Sequence, residues 1–298
     1  MEINLPLDIY VEGNSICVLA YTPNYWLHIY NKETGKLISE ALPVGRGPGE
    51  VVNATSMDYN RNERLLYIHS PNLYKSVIYR FDGDGGNAVF ADEVQHPQDG
   101  IIRQCYLLPD NHFLYEGYLQ GEDRFTRFFL YENEGMSSNF IDYPGIEKEE
   151  DKYSFMMSRA KSDPMTGRFV SGTLYGAVLE CFNLSDGVFD RIGLRLISPP
   201  GVDMSGGGMD IRKGSKWGFS SFCLTEDRVY SSFLNSDDIN DLSAISVFGW
   251  NGKEKARYDT DKNILRIATD PGGPGSLYGI VTDSEMTYTL AKIDLPQL

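Results

Sequence analysis

Residues 19–25 read LAYTPNY and residues 67–73 read YIHSPNL, so a strand followed by a proline–asparagine turn recurs in register after 48 residues. The centre of this strand returns four more times, at Tyr115, Val170, Tyr230 and Tyr278. Each copy follows a polar turn built from Gly, Asn, Asp or Pro, residues that tolerate the backbone angles of tight connections. The chain therefore contains six copies of one strand–turn unit.

These copies predict a six-bladed β-propeller. After each centre comes a second alternating run, rich in aromatic and β-branched residues, that usually ends at a glycine turn, and this pattern is typical of antiparallel strands. A period of about 40–50 residues with four strands per unit is the signature of propeller blades. We place the blades near residues 7–45, 52–95, 101–144, 153–198, 217–260 and 263–295.

The two ends of the chain are expected to meet. The last unit has only three obvious strands, whereas residues 2–5 form a spare alternating strand that precedes the first blade. We expect this strand to complete the sixth blade, because closure by both termini removes an exposed sheet edge. The prediction is an all-β propeller in a single domain over residues 1–298, since no linker or low-complexity boundary divides the chain. A two-sheet sandwich or two small β domains is the alternative.

The composition excludes several classes of partner. A net charge of −15 argues against nucleic acid and against anionic membrane surfaces, which require clustered Lys and Arg. The sequence has no apolar run long enough for a transmembrane segment, and no secretory signal opens it.

The cysteines and histidines indicate neither a metal site nor a cofactor. Cys17, Cys105, Cys181 and Cys223 are scattered over four predicted blades, without the density of a disulfide scaffold or the close spacing of a metal site. They are interpreted as buried free thiols. The four histidines also lack a metal-binding spacing. We therefore expect no metal and no cofactor.

The segment Gly45-Arg46-Gly47-Pro48-Gly49-Glu50 lies between the last strand of one predicted blade and the first strand of the next. It resembles the Gly-x-Gly-Pro-Gly-Glu link of bacterial six-bladed propellers of the TolB-like and NHL-like type, which are common among envelope proteins of gut bacteria. The glycines permit the positive φ angles of a turn between blades, and Pro48 stiffens the crossing. Arg46 and Glu50 are expected to pair with each other or with a neighbouring blade.

This resemblance implies a noncovalent binding or scaffolding module of the bacterial cell envelope, in the periplasm or as a lipoprotein attached to the outer membrane. The expected ligand is a carbohydrate, a peptide or a protein. The alternative is a metal-dependent hydrolase or lactonase with a carboxylate cluster in the central tunnel, since such sites are assembled from residues distant in sequence.

Strand order predicts where a ligand would bind. Links from a fourth strand to the next first strand, and turns from second to third strands, share one face of the ring. On that face the sequence places aromatic and polar side chains of the kind that bind saccharides or peptides. They are Tyr25, Trp26, Arg46, Asn72, Tyr74, Arg124, Trp217, Asp237 and Asp238. The longest connection between blades, residues 199–216, is a candidate lid, with a disordered surface loop as the alternative.

Overall fold

In the computed structural model, the repeating units of the sequence form six antiparallel sheets. The structure describes residues 3–82, 86–119, 125–132, 135–140, 142–185, 188–204, 208–239, 241, 244–271, 276–283 and 287–296. None of the helices in these ranges has the length and apolar character needed to cross a membrane.

The strands follow the blade order along the chain. Blade 1 contains β1 (Pro6–Glu12), β2 (Ser15–Ala20), β3 (Tyr25–Asn31) and β4 (Leu37–Pro43). Blade 2 contains β5 (Ser56–Asn60), β6 (Leu65–Ser70), β7 (Lys75–Asp82) and β8 (Asn87–Gln95). Blade 3 contains β9 (Gly100–Leu107), β10 (Phe113–Leu119), β11 (Phe125–Glu132) and β12 (Gly135–Phe140).

Blade 4 contains β13 (Arg159–Asp163), β14 (Arg168–Gly172), β15 (Ala177–Ser185) and β16 (Val188–Ser198). A short hairpin of β17 (Val202–Asp203) and β18 (Asp210–Ile211) comes before blade 5. Blade 5 contains β19 (Trp217–Leu224), β20 (Val229–Ser236), β21 (Ala244–Phe248) and β22 (Glu254–Asp259). Blade 6 contains β23 (Asn263–Thr269), β24 (Ser276–Thr282) and β25 (Tyr288–Asp294). The helical elements are α1 (Tyr153–Met156) and the 3-10 turns Pro71–Leu73, Pro109–Asn111 and Glu149–Lys152.

The first strand of each blade lines the centre of the ring. Within each sheet the strands pair in chain order. The first strands contact one another in the sequence β1, β5, β9, β13, β19, β23 and back to β1. This closed circuit confirms the predicted six-bladed propeller.

The predicted start of blade 4 was too early. Residues 149–156 form a 3-10 turn and α1 instead of a strand, and the first strand begins at Arg159. The physical reason is Asp151, whose buried carboxylate accepts hydrogen bonds from the backbone N–H groups of Glu147 and Lys148 and so fixes a helical turn.

The N-terminal segment completes blade 6, as the sequence predicts. Ile3 forms an antiparallel bridge with Tyr288, and its N–H donates to the Tyr288 carbonyl at 3.1 Å. The Ile3 side chain is only 5% exposed and packs with Tyr278 and Ile280 of the same blade. Both ends of the chain therefore contribute to one blade.

Large aromatic side chains fill the spaces between blades. Phe128 of blade 3 lies edge-on to Phe169 and Phe182 of blade 4, with ring centroids 5.1 and 5.5 Å away. In blade 5, Phe219 stacks on Phe233 at 4.5 Å. Such contacts bury large apolar surfaces that a single blade could not cover alone.

Candidate functional site

The central channel opens into a cavity on the face that carries the links between blades, which we call the link face. A narrow space of about 70 Å³ lies within the channel and continues into a groove of about 670 Å³ beside β23 and the N-terminal segment. The two spaces share Leu7, Arg159, Ser220 and Arg266. We call the combined cavity the funnel. Its groove falls in the size range of about 300–1,000 Å³ that is usual for small-ligand sites.

Strand alternation directs charged side chains into the channel. Arg159 and Lys161 are two residues apart on β13, so both point to the same side of this first strand, and both line the channel. Arg266 reaches the channel from β23, and Asp8 reaches it from β1. A ring of first strands thus converts scattered single charges into one cluster.

Arg159 has no counter-ion among the described residues. Its Nε atom is buried and has no hydrogen-bond partner there. Burial lowers the pKa of this guanidinium, with Tyr106 and Tyr175 opposing the effect. A buried donor that lacks an acceptor is costly, unless a ligand supplies the acceptor.

Arg266 bonds to backbone carbonyls only. Its Nε donates to the Leu7 carbonyl at 2.5 Å, and its Nη1 donates to the carbonyls of Leu265 at 2.8 Å and Ser220 at 3.3 Å. Burial, and then the nearby Arg159 charge, lower its pKa to about 9, so the group is still protonated at neutral pH. The base of the funnel therefore holds two guanidinium groups that no carboxylate neutralises directly.

The carboxylates of the channel are already occupied. The Lys161 ammonium lies 3.1 Å from Asp8 Oδ2 and 3.9 Å from Asp58 Oδ1. Asp8 also accepts a hydrogen bond from the Met57 N–H, and Asp58 accepts one from the Leu107 N–H. Because Lys161 sits beside both carboxylates, this pair is not an open divalent-cation site, and the geometry does not favour the hydrolase alternative.

The walls of the groove are aliphatic. They are formed by Leu5, Leu7, Leu174, Leu234, Ile239 and Leu265. Leu5 and Ile239 remain 63% and 44% exposed, which is unusual for side chains of this size. Trp217 is buried against Leu174, Leu234 and Leu265 and so supports the wall from behind. The funnel thus combines a cationic base with an apolar wall.

The opposite mouth of the channel holds a smaller cavity of about 220 Å³. The arginine in its lining, Arg61, donates from Nε to the Tyr10 hydroxyl at 3.1 Å. Because that guanidinium already has an acceptor, this mouth offers a weaker case for an anionic ligand than the funnel does.

A second polar cluster is buried inside blades 2 and 3. The imidazoles of His69 and His96 and the thiol of Cys105 have donor atoms within 4.8 Å of one another. Ser76 Oγ lies 2.7 Å from His69 Nδ1 and 2.7 Å from His96 Nε2. The other ring nitrogens face Asp58 Oδ2 at 3.0 Å and the Tyr115 hydroxyl at 3.1 Å.

Cys105 is a buried free thiol, as the sequence predicts, and this cluster gives it polar neighbours. Burial alone would raise the pKa of the thiol, but His69 and His96 outweigh burial and lower it to about 6. For His69, burial lowers the pKa, and Cys105 and Asp58 raise it to about 10. His, His and Cys are ligands that zinc prefers, yet Ser76 already supplies both imidazoles with a hydrogen-bond partner, so we interpret the cluster as a closed structural network.

The structure does not gather the predicted binding residues into one cavity. None of those that the structure describes lines the funnel. Tyr25 and Trp26 begin β3, and Trp26 is buried in the core of blades 1 and 2. Tyr74 donates its hydroxyl hydrogen to the Gly100 carbonyl of blade 3 at 2.8 Å.

The remaining predicted residues have different surroundings. Arg46 and Asn72 are both exposed. Asp237 and Asp238 are exposed next to Ile239 of the groove, and Asp237 pairs with Lys216 at 2.8 Å. Trp217 supports the wall of the groove. Arg124 lies outside the described residues. The predicted set remains a prediction, and the funnel is a different candidate site on the same face.

Comparison with known proteins identifies the family of this chain. The family described as TolB-like 6-blade propeller-like matches residues 2–271. The chain belongs to the TolB-like propeller family. No curated protein matches this TolB-like propeller.

Solved structures share the fold of this TolB-like propeller at low sequence identity. A Bacteroides fragilis structure named "Putative exported protein" is 12% identical, with a TM-score of 0.61 over 99% of this chain and 92% of that one. A Lactobacillus plantarum protein is 13% identical, with a TM-score of 0.47 over 98% of this chain and 85% of that one. The Cps50 (Swd1) propeller domain of Myceliophteria thermophila is 12% identical, with a TM-score of 0.48 over 97% and 96% of the two chains. At such identities the comparison concerns the fold alone.

The glycine-rich link of this TolB-like propeller is explained by its own contacts. Glu50 folds back over the segment, and its Oε2 accepts a hydrogen bond from the Gly47 N–H at 2.8 Å. A Cβ atom at Gly45 would lie only 2.0 Å from that carboxylate oxygen, and Gly49 has a φ of +69°. Lys75 of blade 2 donates to the Gly47 carbonyl at 3.2 Å. These contacts support a structural role for the segment.

The candidate lid of the TolB-like propeller is anchored by its own contacts. Part of it pairs as β17 and β18, and residues 205–207 lie outside the described residues. Arg212 forms an ion pair with the buried carboxylate of Asp151 and donates to the Val202 carbonyl. None of its described residues lines the funnel.

Sequence reasoning missed the two arginines of the funnel. Each lies alone within an alternating strand, and neither stands near a motif. The available signal was a charged side chain inside the first strand of a blade, because first strands line the channel of a propeller.

Proposed function

We propose that this TolB-like propeller is a noncovalent binding module of the cell envelope and that its ligand binds in the funnel. The observation that carries this proposal is the pair of guanidinium groups at the funnel base, where Arg159 has a buried Nε without a partner among the described residues and Arg266 donates its described hydrogen bonds to carbonyl oxygens. In a protein with a net charge of −15, two guanidinium groups at the centre of one face, neither of them in a described ion pair, favour a negatively charged ligand group.

The envelope assignment rests on the family and on a relative. The chain belongs to the TolB-like family, and the similar structure from Bacteroides fragilis carries the word "exported" in its name. Both support a location outside the cytoplasm, in the periplasm or at the outer membrane.

The family resemblance implies three classes of ligand: a carbohydrate, a peptide or a protein. Each can enter the funnel if one part of it is anionic and another part is apolar, since the base is cationic and the wall aliphatic. An apolar wall with a few convergent polar groups is the usual construction of a binding site.

A comparison of variants on glycan and peptide arrays tests this proposal. Arg159→Glu inverts the charge at the funnel base and is expected to abolish the signals of the wild-type protein. Arg80→Glu is the matched control, because Arg80 is exposed on β7 and does not line the funnel. Wild-type signals that survive in Arg159→Glu, or an absence of any wild-type signal, would contradict the proposal.

A further inference from the structure

The chemistry of the funnel narrows the ligand further, on the basis of the binding function proposed above. We propose that the funnel binds the C-terminal end of a peptide, with its terminal carboxylate at Arg159 and Arg266 and an aliphatic last side chain against the leucines of the wall.

The two guanidinium groups at the base indicate the anionic group of the ligand. A guanidinium has planar, forked N–H donors that match the two oxygens of a carboxylate, and such charge-assisted bonds are stronger than neutral ones. Arg159 contributes a buried Nε–H that has no acceptor among the described residues. Ser220 also lines the base, and its carbonyl accepts a hydrogen bond from the Arg266 guanidinium. A terminal carboxylate would supply the acceptor that Arg159 lacks.

The wall of the groove indicates which ligand group lies next to the carboxylate. Six aliphatic side chains face the groove, whereas Tyr288 is its single aromatic residue among the described residues of the lining. Saccharides bind preferentially to aromatic faces, and aliphatic side chains pack best against Leu and Ile. The wall therefore favours an aliphatic group adjacent to the carboxylate.

The size of the groove and its polar rim indicate what kind of molecule carries these two groups. At about 670 Å³ the groove takes the end of a chain and not the surface of a folded partner. Asn263, Thr282 and Asp283 add polar atoms to the lining next to the aliphatic wall. A peptide backbone carries N–H and C=O groups that need such partners, and an alkyl chain does not. The arrangement of cationic base, aliphatic wall and polar rim fits a peptide C-terminus better than a fatty acid.

The experiment uses the full chain and two pools of hexapeptides. Both pools are randomised at the first five positions and end in Leu, Ile or Val, and they differ only in the terminus, which is a free carboxylate in one pool and a carboxamide in the other. Peptides retained by the immobilised protein are quantified by mass spectrometry. We expect about tenfold greater retention of the free acids, which corresponds to one charge-assisted hydrogen-bonded contact.

Variants locate the effect. Arg159→Met should remove the preference for the free acid, and Ile239→Glu, at an exposed wall position, should reduce retention of the acid pool. Arg80→Met should behave like the wild type. Thermal unfolding of each variant confirms that it is folded.

The outcomes separate this inference from the function on which it rests. If the protein retains the acid and amide pools equally, and Ile239→Glu still reduces the retention of both, the C-terminal assignment is overturned and the funnel remains a binding site. Displacement of all peptides by dodecanoate, together with direct binding of dodecanoate that depends on Arg159, would assign the funnel to fatty acids and overturn the inference. Retention that no funnel variant changes would overturn both proposals.

Discussion

Two buried serines differ in the hydrogen bonding of their hydroxyl groups, and this difference determines how much each hydroxyl stabilises the fold. Ser76 contacts two imidazoles at 2.7 Å inside blades 2 and 3, whereas Ser171 of blade 4 is equally buried and its hydroxyl has no hydrogen-bond partner in the part of the chain that the structure describes. The same substitution at these two positions is therefore expected to change stability by very different amounts.

Ser76→Ala is expected to lower the free energy of unfolding by roughly 2–4 kcal/mol, because it leaves one nitrogen of His69 and one of His96 buried without that partner. Ser171→Ala is expected to change it by less than about 0.5 kcal/mol, since no bond is lost. Urea unfolding followed by tryptophan fluorescence measures both. Equal effects of the two substitutions would show that the histidine network does not stabilise the fold.

Glu116 is a buried acid whose ionisation opposes folding. Burial raises the pKa of this carboxyl to about 8, although Arg103 and Arg127 act in the opposite direction. A folded-state pKa above the unfolded value means that stability is fully present below the unfolded pKa of about 4.5 and is lost as the pH rises through the folded value.

Glu116→Gln should therefore remove a part of the pH dependence between about pH 4.5 and 8, where the wild-type protein loses at most about 1.4 kcal/mol per pH unit through this group. Urea unfolding at several pH values measures the difference between the two proteins. Glu33→Gln, at an exposed position in the turn after β3, is the control. Parallel pH profiles for wild type and Glu116→Gln would contradict this assignment.

At the scale of elements, the N-terminal segment closes blade 6 through one residue. Ile3 is buried and hydrogen-bonded to Tyr288, whereas Leu5, two positions later, is 63% exposed. Ile3→Asn should lower the free energy of unfolding by roughly 3 kcal/mol, because it buries an amide in an apolar cluster and loses aliphatic contact. Leu5→Asn should cost less than about 0.5 kcal/mol.

Chemical unfolding of the two Asn variants tests this closure. A cost for Ile3→Asn no greater than that for Leu5→Asn would show that the ring is stable without its N-terminal strand. Leu5→Asn has a separate value, because Leu5 belongs to the wall of the funnel and its loss should weaken ligand binding without affecting the fold.

At the scale of the whole molecule, the sequence predicted the architecture well. The 48-residue shift, the polar turns and the spare strand before β1 were sufficient for six blades and for the closure at Ile3, because each blade repeats the same local pattern. The start of blade 4 could not be predicted, since the buried Asp151 carboxylate that fixes the helical turn is itself held by Arg212, 61 residues further along the chain.

The candidate site was much less accessible to sequence reasoning. The ring brings Arg159 and Arg266 together although they are 107 residues apart, and neither stands in a motif. The predicted face agrees with the face on which the funnel opens, because strand order alone fixes the two faces. The predicted residues lie elsewhere on that face, since aromatic and charged residues near link turns also serve blade packing, as Trp26 and Tyr74 do.

Binding of a peptide C-terminus requires that the funnel arginines receive a carboxylate. Arginine Nε–H signals in ¹H–¹⁵N spectra, assigned with Arg159→Lys and Arg266→Lys, report this contact directly during titration with N-acetyl-leucine and with its carboxamide. We predict that the Arg159 and Arg266 signals shift and saturate with the acid but not with the amide, while the Arg80 signal stays in place. Unchanged funnel signals, or equal shifts with acid and amide, would contradict it.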